Sequence, residues 1–144
     1  MLDLIGRLVV ACLLGAVIGL ERELRQKAAG LRTNALIAFG AALFTILGLE
    51  LAAGGGDPSR VASTIVTGIG FLGAGAILRT GKTVHGLTTA ATIWVNAAIG
   101  MAAGSGAYAL AVAATAIALV VLWLVGIFEK RIEDRLAGTP RANT

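Results

Sequence analysis

Few side chains of this chain can do chemistry, and the acidic ones beside long apolar runs are the first candidates for a metal site. Glu50 lies about one turn inside the end of one apolar run, and Asp57 and Arg60 flank the start of the next. Carboxylate oxygens are the ligands that hard cations such as Mg²⁺ take. Glu50 and Asp57 are therefore predicted as the first ligands that such a cation would meet, with contact to water and helix capping as the alternatives.

A second candidate site is cationic. Two basic connections precede helices that begin with the sequence Gly-Leu-x-Thr, and helix N-termini attract anions. One interpretation is a phosphate site built from Arg32, Thr33, Thr88 and Thr89; the other is anchoring of the protein to anionic lipid. The polar residues around these connections are Glu21, Arg22, Arg25, Lys27, Arg79, Lys82 and His85.

Two glycine motifs resemble nucleotide-binding loops without their context. Gly68, Gly70 and Gly73 match G-x-G-x-x-G, yet they lie inside an apolar run, and no Asp or Glu occurs between Asp57 and Glu129. Residues 76–83 come within one residue of a P-loop, but an alanine replaces the first glycine and no strand is predicted before it. Both nucleotide sites are rejected.

The glycines are better explained as close-packing positions, because helices in lipid associate through small residues. The pairs Gly15/Gly19 and Gly100/Gly104 have the same four-residue spacing. For the stretch from Gly68 to Gly75, the alternative is a helix that breaks in the membrane and offers its carbonyl groups to a cation.

The remaining candidates lie in the middle of one apolar run. Trp94 and Asn96 are far from either end of the run 87–103, and a buried asparagine needs a partner on another helix. We expect that partner among the hydroxyls of Ser63, Thr64 and Thr67. His85 is the sole histidine and Cys12 the sole cysteine, which argues against a zinc site, and without a catalytic constellation we expect no enzyme activity and no cofactor.

The composition predicts that these residues are positioned by membrane-spanning helices. Of the 144 residues 57% are hydrophobic and 14% charged, which is more apolar than a soluble domain of this length. Each of five apolar runs is long enough to cross a bilayer as a helix. We therefore predict an all-α bundle of five transmembrane helices over 1–128 and a short cytoplasmic tail over 129–144, with four crossings and an interfacial first run as the alternative. The runs cover 4–20, 33–53, 61–78, 87–103 and 107–128.

The positions of the cations predict an orientation. Ten of the twelve Lys and Arg residues fall in the connections 21–32 and 79–86 and in the tail, while Arg7 and Arg60 fall on the other side. Positive charge marks the cytoplasmic side, so the N-terminus is expected outside. The net charge of +4 and the pI near 10.0 then reflect orientation, and nucleic acid is not expected as a partner.

An internal repeat relates the two basic connections. Residues 30–42 align without gaps to residues 86–98, and seven of the thirteen positions are identical at an offset of 56. Gly19 and Gly75 match at the same offset. This pattern predicts two helix hairpins of the same orientation, related by an axis along the membrane normal.

Taken together, these motifs resemble the membrane domain of the MgtC/SapB family over about residues 5–128. The matching segments are Gly19-Leu-Glu-Arg22, Ala29-Gly-Leu-Arg-Thr33, Asp57-Pro-Ser-Arg60, Gly68-Ile-Gly-Phe-Leu-Gly-Ala-Gly75 and Gly86-Leu-Thr-Thr-Ala-Ala with Trp94.

The resemblance implies a bacterial inner-membrane protein connected with magnesium homeostasis, in a family also linked to survival inside host cells. It is expected to act as a small transporter or a transport-associated protein, with Mg²⁺ as its substrate or ligand. The alternative is a regulatory protein that binds another membrane complex, such as the F-type ATP synthase. Longer members add a cytoplasmic regulatory domain, which this chain is expected to lack. Because five short helices are few for a complete pathway, a homodimer is predicted.

Overall fold

A computed structural model describes residues 1–137, with side chains described through residue 127, and Arg141 of the predicted tail lies outside this part. The elements are α1 (Leu2–Leu24), α2 (Leu31–Ala52), α3 (Pro58–Gly75), β1 (Leu78–Thr80), β2 (Thr83–His85), α4 (Leu87–Gly104) and α5 (Tyr108–Ala137). Each predicted apolar run forms one helix. The last helix continues into the segment predicted as a tail.

Four of the described helices are long and apolar enough to cross a membrane. They are α1, α2, α4 and the Tyr108–Ile127 part of α5. The first run is among them and α3 is not, so the number of crossings and the placement of the first run stay predictions. The helix that falls short is α3, because prolyl, hydroxyl and glycyl residues dilute its apolar ones.

The prediction of an all-α chain is wrong at the second connection. β1 and β2 pair as an antiparallel hairpin, with Leu78 opposite His85 and Thr80 opposite Thr83. Gly81 leads the two-residue loop with φ +63°, a backbone conformation that glycine adopts readily. The P-loop-like segment therefore forms part of this hairpin, and the third apolar run ends as a helix at Gly75 rather than at residue 78.

α2 lies between α1 and α4 and touches both through glycine. A methyl group placed on Gly15 of α1 would lie 2.5 Å from the Asn34 carbonyl oxygen, and one on Gly19 would lie 2.6 Å from the Leu31 Cα. From the other side, a methyl group on Gly104 of α4 would lie 2.6 Å from the Ala42 carbonyl oxygen. The predicted packing role of these glycine pairs is confirmed, because only glycine lets the backbones approach this closely.

The contacts of α4 define a parallel register on α2 that differs from the sequence repeat. Asn96 Nδ2 donates to the Asn34 carbonyl oxygen at 2.6 Å and to Asn34 Oδ1 at 3.1 Å, a separation of 62 residues. Gly100 on Ala38 keeps the same separation. The sequence repeat has an offset of 56, so α4 extends six residues, about 9 Å, beyond α2 at its N-terminal end.

The predicted partner of Asn96, a hydroxyl group on α3, is wrong, because Asn96 bonds to Asn34 on α2. Asn96 and Asn34 are both fully buried and bond to each other, whereas the hydroxyls of α3 bond within their own helix. Ser63 and Thr64 donate to the Arg60 carbonyl oxygen, and Thr67 donates to the Ser63 carbonyl oxygen. A helix can satisfy hydroxyl groups from its own backbone, which left Asn96 free to pair with α2.

The glycines of α3 were expected to pack against a neighbouring helix, and most of them do not. A methyl group on Gly68, Gly70 or Gly75 would meet no atom within 4 Å, and one on Gly73 would make ordinary contact with Ala90. The break considered for this stretch is also absent, because α3 is continuous from Pro58 to Gly75. The glycines therefore form an open surface on an intact helix.

Both basic connections lie at one end of the bundle, here called the basic end, because α1 is antiparallel to α2 while α4 is parallel to it. At the opposite end, Arg7 forms an ion pair with Asp3 at 2.8 Å and donates to the Gly104 carbonyl oxygen at 3.1 Å. A cation at the C-terminus of α4 is favoured by the helix dipole. Arg7 thus ties the start of α1 to the end of α4.

Replacing Gly100 by Ala is expected to destabilise the bundle by about 1–3 kcal/mol, because the new methyl group would collide with the Ala38 carbonyl oxygen. Thermal unfolding in detergent, followed by a thiol-reactive dye on Cys12, measures the change. Gly6→Ala is the matched control, since no atom lies within 4 Å of the added methyl group. Equal melting temperatures for the two variants would contradict the packing.

Candidate functional site

The strongest candidate site is a cavity of about 730 Å³ at the basic end, between the end of α1, the start of α4 and one side of α5. Its polar wall combines cations with the hydroxyls of Thr88 and Thr89, while Val121, Leu122 and Val125 form an apolar wall. The cations are Arg22, Arg25 and Lys27, and His85 lies beside them. None of the residues that line the cavity is a carboxylate.

Arg22 is the most deeply placed of these cations. Only 5% of the residue is exposed, and its Nη2 donates to Thr89 Oγ1 at 3.2 Å. Its Nε is buried without a hydrogen-bond partner among the described residues, and no carboxylate there forms an ion pair with it. A buried guanidinium that keeps its charge without a counter-charge is costly, because the interior solvates charge poorly.

The acidic residues near this cavity are engaged elsewhere. Arg25 Nε lies 2.7 Å from Glu21 Oε1, so these two form an ion pair within α1. The buried Glu21 oxygens receive no hydrogen bond from the described residues. Glu23 Oε2 accepts the Leu31 N–H at 2.9 Å and thereby caps α2. Among the described residues, neither Arg22 nor Lys27 forms an ion pair, although the Glu21 carboxylate lies close enough to Arg22 to act on its charge.

The start of α4, unlike the start of α2, has no side chain that caps its free N–H groups in the described part of the chain. Both helices begin after a glycine, Gly30 and Gly86, at the repeat offset. Gly86 has φ +86°, and a side chain there would collide with the Ala76 carbonyl oxygen, so the cap position of α4 cannot supply a polar group. The residue that matches Glu23 in the repeat is Arg79, whose Nε donates to the Gly81 carbonyl oxygen. Among the described residues, no side chain caps α4.

The structure does not bring together the four residues predicted as a phosphate site. Thr88 and Thr89 line the basic cavity, but Arg32 and Thr33 line a separate apolar groove of about 690 Å³ between α2 and α3. The six-residue shift between α2 and α4 explains the difference, because it places Thr89 level with Lys27 of the connection rather than with Thr33. Arg22, Arg25 and Lys27 take the place predicted for Arg32.

The acidic candidates lie at the opposite end of the bundle and are exposed. Asp57 caps α3 by accepting the Ser59 N–H at 2.9 Å, and Glu50 lies near the end of α2. Arg60 lies in the first turn of α3 and is exposed. Among the described residues, no three His, Cys, Asp or Glu side chains are grouped so as to hold a metal ion. A role for Glu50 and Asp57 as cation ligands stays a prediction.

Of the other predicted residues, His85 lines the cavity from the hairpin and the rest lie apart from it. Trp94 is half exposed on α4, Arg79 and His85 lie in the exposed hairpin, and Gly68, Gly70 and Gly75 form the open surface of α3. Sequence reasoning missed Asn34, which bonds to Asn96 and also donates to the carbonyl oxygens of Ala29 and Gly30. The sequence signal that could have identified Asn34 is a polar residue within an apolar run, four residues after the glycine that starts the helix.

Four long apolar helices around a glycine-packed centre, with cations gathered at one end, define a multi-pass membrane protein. The sequence profile of the MgtC family matches residues 8–131, and the chain belongs to this family.

Relatives of this chain include Protein MgtC of Salmonella typhimurium (strain LT2), which is 52% identical over 134 residues, 93% of this chain and 57% of the relative. "Putative magnesium transporter YhiD" of Escherichia coli (strain K12) is 49% identical over 127 residues, 83% of this chain and 59% of that protein. "Uncharacterized protein slr0014" of Synechocystis is 50% identical over 114 residues, which are 79% of this chain and 48% of that protein. The chain thus spans about half to three fifths of these relatives. No solved structure matches it.

Asp57 offers a test of the exposed end of α3. Hydrogen bonds from the Ser59 side chain and backbone amide lower the pKa of Asp57. The capping carboxylate therefore stabilises the start of α3 above the unfolded pKa of about 3.9, and this contribution is lost as the pH falls through the lowered pKa.

A carbon NMR titration of the Asp57 carboxyl group should give a midpoint below about 3.9. Ser59→Ala should raise that midpoint because it removes one donor, whereas Ser63→Ala should leave it unchanged, since the Ser63 hydroxyl bonds to Arg60. A midpoint at or above the ordinary value in the unmodified protein would contradict the capping geometry.

Proposed function

We propose that this chain is a non-enzymatic protein of the bacterial inner membrane that takes part in magnesium homeostasis as a transport-associated protein, acting on another membrane complex. Its N-terminus lies outside and its basic end faces the cytoplasm. The orientation is supported by the gathering of Arg22, Arg25, Lys27, Arg79 and Lys82 at one end, because positive loops stay on the cytoplasmic side.

The observation that carries this proposal is the contact between backbones at the centre of the bundle. Gly15 and Gly100 bring α1 and α4 onto the backbone of α2, and the Asn96 amide group donates both to the carbonyl oxygen and to the side-chain oxygen of Asn34. Mg²⁺ dehydrates reluctantly and needs six oxygen ligands or waters around it. A centre packed in this way favours a regulatory role over passage of the ion through a single copy.

A second candidate is a magnesium transporter, which the name of the Escherichia coli relative favours. In that case Glu50 and Asp57 would be the ligands at the outer end, where both are exposed. The path would then have to run between copies of the chain rather than through one.

Magnesium flux into proteoliposomes that contain this protein alone separates the two candidates. A transport-associated protein is expected to give no flux above empty liposomes, because the ion has no route through the packed centre. Flux that falls in Glu50→Gln and Asp57→Asn, but not in the control Asp3→Asn, would contradict the first proposal and support the transporter.

We also propose a homodimer formed through the open face of α3. Gly68, Phe71 and Gly75 lie on one side of the helix, where Phe71 is 81% exposed and both glycines have free space above them. A projecting ring beside two gaps is complementary to a second copy of the same surface, as a two-fold interface requires. Small residues and exposed hydroxyls also make this face a better surface for a helix than for lipid tails.

The dimer is tested by disulfide formation in a Cys12→Ser background. Phe71→Cys is expected to cross-link two copies in nanodiscs, since residues near a two-fold axis approach their own counterparts. Leu13→Cys is the matched control, because Leu13 is also exposed but lies on α1. Monodisperse monomers in mild detergent and in nanodiscs, without cross-linking of the α3 variant, would overturn the dimer.

A further inference from the structure

We propose that the cavity at the basic end binds a phosphate group, held by Arg22, Lys27 and the start of α4. The chemistry is that of a phosphate ester, carried either by an anionic phospholipid or by a soluble phosphate compound. Phosphate binding here is independent of whether the protein moves magnesium.

The first argument is the buried charge. Arg22 lines the cavity with only 5% of the residue exposed, and it forms no ion pair with the described residues. Its Nε has no hydrogen-bond partner there, while its Nη2 donates to Thr89 Oγ1 and so orients the guanidinium. Guanidinium groups bind phosphate through two parallel hydrogen bonds, so an unpaired and oriented Arg22 is suited to this ligand.

The second argument is the pair of helix starts. At α2 the free N–H group of Leu31 is satisfied by a carboxylate oxygen of Glu23 at 2.9 Å. At α4 the matching position of the repeat holds Arg79, and no described side chain caps the first turn. The N-terminus of α4 carries a partial positive charge and free N–H groups. An anion bound there would accept hydrogen bonds from these N–H groups, as the Glu23 carboxylate accepts the Leu31 N–H at the start of α2.

The third argument is the charge balance of the wall. Glu21 forms an ion pair with Arg25 and also acts on the charge of Arg22, but neither Arg22 nor Lys27 forms an ion pair among the described residues, and the lining contains no carboxylate. Thr88 and Thr89 add hydroxyl donors at the same rim. A cation would be repelled by this wall, so the ligand must be an anion.

The apolar wall favours a ligand with both polar and apolar parts. Val121, Leu122 and Val125 of α5 line the same cavity as Arg22, within the membrane-spanning part of that helix. Basic pockets between transmembrane helices on the cytoplasmic side bind lipid headgroups in this manner, with the acyl chain along the apolar side. An anionic phospholipid would fill both walls, whereas inorganic phosphate would fill only the polar one.

Two binding measurements on the purified full chain test the site and separate the two sources. Inorganic phosphate is titrated against delipidated protein in detergent, with chloride at equal ionic strength as the reference, and unfolding is followed through Cys12. In parallel, native mass spectrometry records how much phosphatidylglycerol is retained relative to phosphatidylcholine. Binding in the first assay identifies a soluble phosphate compound as the ligand class, and binding in the second alone identifies a lipid.

The variants decide whether binding belongs to this cavity. Lys27→Gln should weaken binding about fivefold, because one cation near the surface is lost, and Lys27 is exposed so the fold should be kept. Arg22→Lys keeps the charge but removes the two-pronged donor and should also weaken it. Arg32→Gln is the matched control, since Arg32 lies at the same end but lines the other groove.

Retention of phosphate or phosphatidylglycerol that falls in Lys27→Gln and Arg22→Lys but not in Arg32→Gln supports the proposal. An equal loss in Arg32→Gln would show general attraction to a basic surface and would overturn it. Failure of both probes to bind the unmodified protein would overturn it as well. Neither outcome depends on the flux experiment above.

Discussion

The structure depends on how closely α2 can approach its two neighbours. In lipid the helices gain little from hiding apolar side chains, so association rests on contact between surfaces. Gly15 and Gly19 on one side, and Gly100 and Gly104 on the other, let α1 and α4 touch the backbone of α2. Each of these contacts lacks room for even a methyl group, so together they fix the distance and the register of the three central helices.

That register determines what the basic end looks like. Asn96 can pair with Asn34 only when α4 extends six residues beyond α2. The extension carries Thr88 and Thr89 past the start of α2 to the level of Arg22. A cavity with cations on one wall and the start of a helix on another is therefore a consequence of the glycine contacts that set this register, among them Gly100 on Ala38. The hairpin of β1 and β2 forms most of the connection between α3 and this extended start of α4.

Much of the fold could be predicted from the sequence, since long apolar runs broken by charged connections leave few arrangements. The repeat also located the two helix-starting glycines, Gly30 and Gly86. It misled on the site, because residues equivalent in sequence need not lie at the same depth. Arg32 and Thr33 were grouped with Thr88 and Thr89 for this reason, and only the packing of Gly100 on Ala38 reveals the shift. The hairpin was missed because its strands are three residues each, too short to give a periodic signal.

The central claim is the parallel register of α2 and α4, and a cross-linking measurement tests it most directly. In a Cys12→Ser background, the pair Asn34→Cys and Asn96→Cys should be joined by a short thiol cross-linker, because these residues are in hydrogen-bond contact. The pair Asn34→Cys and Ala90→Cys, separated by the repeat offset of 56, should not react. Cross-linking of the second pair without the first would contradict the register, and with it the proposed origin of the basic cavity.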